Sequence, residues 1–349
     1  MRSRTVTALL LALLVLPACS HPVVLPWSEV TSIHTTGGSA DAVHVVVATA
    51  RGIEYAASVD GGRTFGRSVV VATEPALRVG FGRGPRVART SPGACVVAVA
   101  HEPAEVLAWT TRDGTSWSGP IPVTRAPGAA EEGLHALASD GGSRLYATWV
   151  DGRSKQPEIW GARSADGGAS WTEGLVYRSP SGSICPCCAP TIAYLADGSI
   201  AVLFRNDVDG ARDPWLAISR DGGGSFEPAQ KLGSGSWRIA ACPADGGSIA
   251  RVEGGWLAVW QRDGEIYTTS PNWSEMRQMR GMLPSLAATP TGSCMAWQDA
   301  RNGKLLYSTT GGKPRELGHG VTTWSLCTTQ AGRAFVAFAE GNAFRTRIP

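Results

Sequence analysis

The sequence has little net charge, and no apolar run in it is long enough to cross a membrane. Its 32 Lys and Arg residues nearly balance 29 Asp and Glu residues, for a formal net charge of +3. Such a balance does not favour binding to nucleic acid or to an anionic surface. Stretches with helical periodicity are few, whereas glycine occurs 43 times and proline 22 times. This composition predicts an all-β protein, and roughly 320 residues can bury one large closed core.

The N-terminus has the pattern of an export signal. Two arginines precede an apolar run over residues 8–16, which is too short for a transmembrane span. The following Leu16-Pro17-Ala18-Cys19 resembles a bacterial lipobox, which implies cleavage before Cys19 and lipidation of that residue. An ordinary signal peptide is the alternative. We therefore expect a signal over residues 1–18, a lipidated tether over residues 19–26, and a location in the bacterial cell envelope.

A short turn pattern repeats at nearly regular spacing. A serine, an aspartate, glycines and an aromatic residue recur at residues 58–65, 164–171 and 219–226, with a version one residue shorter at 111–117. The aspartate can accept hydrogen bonds from N–H groups of the turn, and the glycines supply positive φ angles. The regular spacing predicts a repeat architecture. The defining positions are Ser58, Asp60, Gly62, Phe65, Asp113, Trp117, Ser164, Asp166, Gly168, Trp171, Ser219, Asp221, Gly223 and Phe226.

These turns resemble the Asp box, also called the bacterial neuraminidase repeat, which has the form Ser-x-Asp-x-Gly-x-x-Trp/Phe. The Asp box is typical of sialidases and of many non-enzymatic relatives, all of which are β-propellers. The resemblance therefore implies that fold, but it does not imply one activity, because function depends on the site rather than on the scaffold.

Short apolar strands recur between the turns, and counting them predicts seven blades. The sialidase family has six, so the expected fold is a single β-propeller of six or seven blades over residues 27–349. The seventh module lacks a fourth strand. Residues 23–27 or those directly after them could supply this strand and so close the ring.

Strand alternation divides the connections between two faces of such a propeller. If the strands of a blade are named A to D, the A–B and C–D turns share one face, and the Asp boxes are C–D turns. Arginines and carboxylates recur on the opposite face, in B–C and D–A loops, and guanidinium groups bind carboxylates through paired hydrogen bonds. Solvated Arg–Asp pairs are the alternative interpretation. The candidate ligand-binding residues are Arg153, Arg205, Asp207, Arg212, Arg238, Arg262, Asp299 and Arg301.

The resemblance also implies hydrolysis by an exo-α-sialidase as an alternative activity. That chemistry needs three arginines on the substrate carboxylate, a tyrosine nucleophile with a glutamate, and an aspartate as acid and base. All six tyrosines fall within predicted strands. The family's Arg-Ile-Pro near the first blade is missing, and the same three residues occur at 347–349 instead. No catalytic residue is therefore assigned.

Four cysteines lie in two neighbouring D–A loops. Cys185, Cys187 and Cys188 are clustered before the fourth module, and Cys242 lies before the fifth. In an exported chain this pattern favours a disulfide between the loops, and we expect it to join Cys188 to Cys242. The alternative is a soft-metal site for Cu(I) or Zn(II). No other cofactor is expected.

The sequence thus predicts a monomeric, lipid-anchored envelope protein that recognises an acidic small molecule, a glycan or an envelope protein. Sialidase activity and metal binding at the cysteine loops are the alternatives, and nucleic acid is not an expected partner.

Overall fold

The computed structural model describes residues 25–80, 82–91 and 93–349. The predicted signal sequence and Cys19 lie outside the described residues. Within these residues the fold is all-β, with seven antiparallel sheets arranged as the blades of a propeller. No helix of the described residues is long and apolar enough to span a membrane. The count of seven blades is confirmed, and the six blades implied by the resemblance are wrong.

The first four blades follow one another along the chain. Their strands are β1 (Ser32–Gly37), β2 (Val43–Thr49), β3 (Gly52–Ser58) and β4 (Val69–Ala72); β5 (Arg86–Arg89), β6 (Ala94–Val99), β7 (Val106–Thr111) and β8 (Trp117–Pro122); β9 (His135–Ser139), β10 (Leu145–Asp151), β11 (Glu158–Ser164) and β12 (Thr172–Tyr177); and β13 (Ser183–Ile184), β14 (Thr191–Tyr194), β15 (Ile200–Val208), β16 (Ala211–Ser219) and β17 (Gln230–Lys231).

The last three blades complete the ring. Their strands are β18 (Ser248–Val252), β19 (Gly255–Arg262), β20 (Glu265–Thr269) and β21 (Met276–Arg280); β22 (Met282–Thr289), β23 (Gly292–Gln298), β24 (Leu305–Thr309) and β25 (Arg315–Gly318); and β26 (Val321–Thr328), β27 (Ala334–Glu340) and β28 (Ala343–Arg347).

The hydrophobic core is divided among the spaces between neighbouring blades. On β2, Val43, Val45 and Val47 pack against blade seven, whereas Val46 points to the other side and packs against blade two. Successive side chains of a strand face opposite sides of its sheet, so a second strand buried on both sides needs apolar residues at consecutive positions. This double burial explains why the second strands are continuous apolar runs in the sequence.

The N-terminal segment closes the ring. Blade seven has three strands, and Ser28 forms an antiparallel bridge with Ala343 at the free edge of β28. The indole of Trp27 packs edge-on against Phe344 and donates hydrogen bonds to Glu54 and Ser68 of blade one. The prediction that residues near position 27 complete the last blade is confirmed.

The four repeated turns share one network of hydrogen bonds. In the first turn, Ser58 donates to Asp60, the N–H of Gly62 donates to Ser58, and the N–H of Thr64 donates to Asp60. Gly62 has a φ of +87°, and a Cβ placed there would lie 2.3 Å from the ring of Phe335 in blade seven. The turns at residues 164 and 219 repeat these contacts, and Thr111 replaces the serine in the second blade. The second glycine therefore lets each full turn pack closely on the preceding blade.

The two faces separate as strand alternation predicts. The turn around Asp60 meets an A–B turn, since the N–H of Gly61 donates to the carbonyl of Asp41 at 2.7 Å. At the other face Arg212, near the B–C turn of blade four, reaches Cys185 in a D–A segment. The arginine-bearing rim and the Asp-containing turns thus lie at opposite ends of the strands.

Some strand limits differ from the prediction. Strands β15 and β16 extend to a tight turn at residues 209 and 210, so Arg205, Asp207 and Arg212 lie in paired strands and not in a loop. The loop assignment of these three residues was wrong, and so was that of Arg262, which ends β19 and pairs with Glu265. Strands β21 and β25 are fourth strands that the sequence pattern misses, because exposed outer strands lack a continuous apolar run.

Candidate functional site

A cavity of about 330 Å³ lies on the propeller axis, at the face that carries the B–C and D–A segments. Its wall is formed by residues at or near the beginning of the A strand, the innermost strand, of each of the seven blades. A cavity of this volume is at the lower end of the range for small-molecule sites. The charged and imidazole side chains of its lining are those of His34, Arg83, Arg86, His135 and Asp245.

Arg86 is a cation that backbone atoms hold in the cavity wall. Its Nη2 donates to the carbonyl of Gly82 at 2.7 Å, and its Nη1 lies 3.3 to 3.4 Å from the carbonyls of Arg83, Gly84 and Pro85. Burial lowers the pKa of Arg86 to about 10, so the guanidinium remains charged at neutral pH. Among the described residues, no carboxylate lies within ion-pair distance of it. Arg86 therefore places a positive charge in the cavity wall without a counter-ion among the described residues.

Two histidines beside Arg86 remain neutral. The Nδ1 of His34 accepts a hydrogen bond from the N–H of Val87 at 3.2 Å, and the Nδ1 of His135 lies 3.1 Å from the carbonyl of Gly133. Burial and then the nearby charge of Arg86 lower the pKa of His34 well below its usual value and that of His135 to about 3. Neutral imidazoles add polar contacts to the cavity wall without adding charge.

Asp245 is the carboxylate of the cavity lining. It is buried and accepts hydrogen bonds from the N–H groups of Leu283 and Gly247 at 2.7 and 3.3 Å. Burial raises the pKa of Asp245, although the charges of Arg205 and Arg301 oppose that shift. The D–A segment of Asp245 is thereby fastened to the inner strand of the next blade, which shapes one side of the cavity.

The predicted arginines of blade four hold the backbone of this rim. Arg205 is 1% exposed, and its guanidinium donates to the carbonyls of Asp245, Arg212 and Gln261. Arg212 pairs with Asp207 at 3.2 Å and contacts the Sγ of Cys185 at 3.2 Å. The hydrogen bonds of Arg205 are therefore already made within the protein.

The predicted arginines of blades three and five are paired with glutamates, Glu173 in the outer strand β12 and Glu275 directly before β21. Arg153 forms ion pairs of 2.9 Å with both Asp151 and Glu173 and lies over the ring of Trp160. Arg262 binds Glu275 through two hydrogen bonds and lies 4.0 Å from the ring centroid of Tyr267. Neither arginine is among the residues that line the axial cavity.

The remaining predicted residues lie on loops at the rim. Arg238 is exposed and donates to the carbonyl of Asp209. Asp299 accepts a hydrogen bond from the N–H of Lys304 within its own turn. Arg301 is exposed, and its charge acts on Asp245. The structure therefore brings the predicted arginines to one face but does not gather them in one cavity.

The cysteine loops are joined by one disulfide, between Cys187 and Cys242. The prediction of a disulfide between these loops is confirmed, but its assignment to Cys188 was wrong. The Cys188 side chain is buried beneath the loop and lies 3.5 Å from the Sγ of Cys185, whereas Cys187 points toward the exposed Cys242. Residues 185–188 form a turn closed by the N–H of Cys188 and the carbonyl of Cys185, and spacing alone does not tell which cysteine of the turn faces the neighbouring blade.

Sequence analysis missed His34, Arg86 and His135 because it searched loops and not inner strands. A signal was nevertheless present, since Arg86 and His135 are the first residues of β5 and β9, and His34 is the third residue of β1. Polar residues on an inner strand of a closed ring can point only to the axis or into the core. This alternation could have identified them.

Comparison with known proteins shows the fold alone. No protein-family model matches the sequence, and no curated protein sequence shows significant similarity. A solved structure of a catalytically inactive virginiamycin B lyase from Staphylococcus aureus is similar, with a TM-score of 0.56 and 13% identity over 93% of this chain and 97% of that one.

Two further solved structures have the same overall shape. An α-L-arabinofuranosidase from Fusarium graminearum matches with a TM-score of 0.53 and 14% identity, over 77% of this chain and 88% of that one. A protein of unknown function from Dyadobacter fermentans matches with a TM-score of 0.53 and 11% identity, over 92% and 93%. At these identities the likeness indicates a shared propeller and does not transfer an activity.

Proposed function

We propose that this protein is a lipid-anchored cell-envelope propeller that binds an acidic glycan in its axial cavity. The observation that carries the proposal is Arg86, a half-buried guanidinium that lines the cavity with backbone carbonyls as its partners. A partly buried charge without a counter-ion is incompletely solvated, so an anionic group entering the cavity gains a favourable partner.

The rest of the lining suits a sugar that carries a carboxylate. Ser285, Thr323 and Trp324 are also among the residues that line the cavity. Sugar rings present both hydroxyls and apolar faces, and ligand sites for such molecules combine apolar surface with a few placed polar groups. The carboxylate would be placed at Arg86.

Binding is favoured over hydrolysis by the composition of the cavity wall. Glycosidases use a pair of carboxylates, or a tyrosine nucleophile in sialidases. Among the described residues that line the cavity, Asp245 is the single carboxyl group and there is no tyrosine. Tyr267 lies under Arg262 and beside Trp260, in blade five. The cavity therefore offers a cationic contact but no complete catalytic pair.

The proposed location in the cell envelope rests on the sequence alone. The lipobox-like segment before Cys19 supplies the anchor, and the four Ser-x-Asp or Thr-x-Asp turns support a relation to Asp-box propellers. The axial cavity opens at the face opposite these turns, so a ligand approaches the rim formed by the D–A segments.

The proposal is tested by calorimetric titration with two acidic probes, 3′-sialyllactose and trigalacturonate, and with lactose as the neutral control. At least one acidic probe should bind, and Arg86→Met should weaken that binding about tenfold or more, since a charge-assisted contact is lost. A matched pair of variants tests the place of binding. Thr322→Trp fills the mouth of the axial cavity, whereas Thr291→Trp makes the same change at the opposite end of the propeller.

Thr322→Trp should abolish binding and Thr291→Trp should leave it unchanged. A thermal melt of each variant shows whether it is folded. Equal affinity for lactose and for the acidic probes, or no binding of either acidic probe to the folded protein, would refute the proposal. If mass spectrometry detects free sialic or galacturonic acid in the same samples, the protein hydrolyses the probe, and the proposed function is an enzymatic one.

A further inference from the structure

Four sulfur atoms meet beside the axial cavity. Cys187 is bonded to Cys242, and the Sγ of Cys185 lies 3.5 Å from the Sγ of Cys187 and 3.5 Å from that of Cys188. Cys185 and Cys188 are buried free thiols, whereas Cys242 is exposed and Cys187 lines the cavity. An intact disulfide is therefore in van der Waals contact with a buried dithiol.

Cys185 differs from the free thiols elsewhere in the described chain. The Nη1 of Arg212 points at its Sγ from 3.2 Å, and a neighbouring cation favours the thiolate, which is the nucleophilic form of cysteine. The thiols of Cys95 and Cys294 instead donate to backbone carbonyls within their blades. Arg212 itself is held by Asp207, so the guanidinium has a fixed position beside the sulfur.

We propose that these four cysteines form a thiol–disulfide exchange centre, in which Cys185 attacks, Cys187 is attacked and Cys242 leaves. The Cys185 thiolate forms a bond to the Sγ of Cys187 while the Cys187–Cys242 bond breaks. The electron pair of the broken bond remains on the Sγ of Cys242. This residue is exposed, and its thiolate takes a proton from water. No oxidant or reductant is consumed, because one disulfide replaces another.

Cys188 completes the exchange. It loses its proton to solvent and attacks Cys185, so that a Cys185–Cys188 bond forms and Cys187 leaves as a thiolate. The disulfide has then moved to the buried pair, and two thiols are presented at the cavity rim. A small disulfide R–S–S–R can accept these two electrons by attack of Cys242 and then of Cys187, which restores the Cys187–Cys242 bond and releases two R–SH molecules.

The substrate class is therefore a small disulfide that reaches the rim at Cys242. The inference does not rest on the proposed glycan site, because its readout is a change of sulfur bonding and not the binding of a sugar. The two proposals can fail separately.

The experiment uses the protein purified without reductant and in chelator. The probe is 4,4′-dithiodipyridine, which releases one coloured thiopyridone for each thiol it oxidises. After acid quench and alkylation under denaturing conditions, peptide mapping assigns every disulfide. The wild type should release two thiopyridone molecules and gain a Cys185–Cys188 bond while it keeps Cys187–Cys242.

The variants separate the steps. Cys185→Ser should react about tenfold or more slowly, and Arg212→Leu should slow the reaction by a similar factor while the starting disulfide remains intact. Cys188→Ser should stop after the first step, with one thiopyridone released, a Cys185–Cys187 bond, and the other half of the probe bound to Cys242 as a mixed disulfide. Cys327→Ser, which changes a thiol in a distant blade, should match the wild type.

Three outcomes would overturn the inference. In the first, Cys185→Ser reacts as fast as the wild type. In the second, Cys185 and Cys188 are still free thiols after prolonged exposure to the probe. In the third, elemental analysis of a separate sample purified without chelator finds zinc or copper at one ion per chain with all four cysteines reduced, which would make the cluster a metal site.

Discussion

Trp27 packs edge-on against Phe344, with ring centroids 4.9 Å apart, so the two ends of the described chain meet in one aromatic pair. Each blade of a propeller packs against two neighbours, and an unclosed ring would leave one apolar face and one strand edge exposed. This contact stabilises the junction between blade seven and blade one.

The closure can be tested at Trp27. Its side chain is 4% exposed, and its Nε1 donates to Ser68 at 2.9 Å and to Glu54 at 3.2 Å. Trp27→Ala should lower the free energy of unfolding by about 3–5 kcal/mol, measured by urea denaturation. Trp27→Phe keeps most of the packing and should cost less. Val59→Ala, at a position that is 84% exposed, is the control. Equal stability of Trp27→Ala and the wild type would show that the N-terminal segment does not hold the ring.

The turn around Asp60 makes an acid-sensitive contribution to stability. Burial raises the pKa of Asp60, but hydrogen bonds from Thr64, Ser58 and the N–H of Arg63 lower it by a larger amount. The resulting pKa is about 2. A carboxyl whose pKa is depressed by folding stabilises the protein above its unfolded value of about 4, and this stabilisation is lost as the pH falls through about 2.

Asp60→Asn should therefore destabilise the protein by about 1–2 kcal/mol at neutral pH, and the difference from wild type should shrink as the pH falls below about 4. Urea denaturation at several pH values measures this. Asp263→Asn changes an exposed turn aspartate with a φ of +50°, which asparagine tolerates, and should show no such dependence. A difference that grows on acidification would contradict the assignment of the turn contacts.

Arg205 should behave as a structural residue. Its removal leaves two buried carbonyls and one part-buried carbonyl without this donor, so Arg205→Met should cost about 3 kcal/mol or more in unfolding free energy. Arg238→Met removes an exposed arginine of the same rim and should change stability by about 0.5 kcal/mol or less. If Arg205→Met unfolds at the same denaturant concentration as the wild type, its carbonyl contacts do not support the fold.

Arg153 and Glu173 should show energetic coupling. Their ion pair has a contact of 2.9 Å, and the glutamate side chain is 8% exposed, so solvent screens it little. A double-mutant cycle with Arg153→Met and Glu173→Gln should give a coupling energy of about 1–3 kcal/mol from denaturant unfolding. A cycle on the exposed pair Arg220 and Glu227 should give about 0.5 kcal/mol or less. If the stability effects of the two single substitutions add up to that of the double variant, the ion pair does not contribute to stability and the prediction is wrong.

The candidate site could be predicted from sequence only in part. The rim was identified correctly, because alternation of antiparallel strands decides which connections share a face. The partners of each arginine could not be predicted. Arg153 is paired with a glutamate twenty positions away on an outer strand, and Arg205 donates to carbonyls of blade five and of the segment that leads into it. Such partners are brought together by blade packing, which leaves no local pattern in the chain.

By itself, the sequence determined the repeated turns, the order of the strands and the face on which the cysteine loops lie. These properties depend on side-chain periodicity and turn chemistry within a few residues. Only the tertiary structure decided that Arg86 faces the axis without a carboxylate, and that Cys187 rather than Cys188 reaches Cys242. Both depend on which side chains converge when seven blades close into a ring, and that convergence joins residues far apart in the chain.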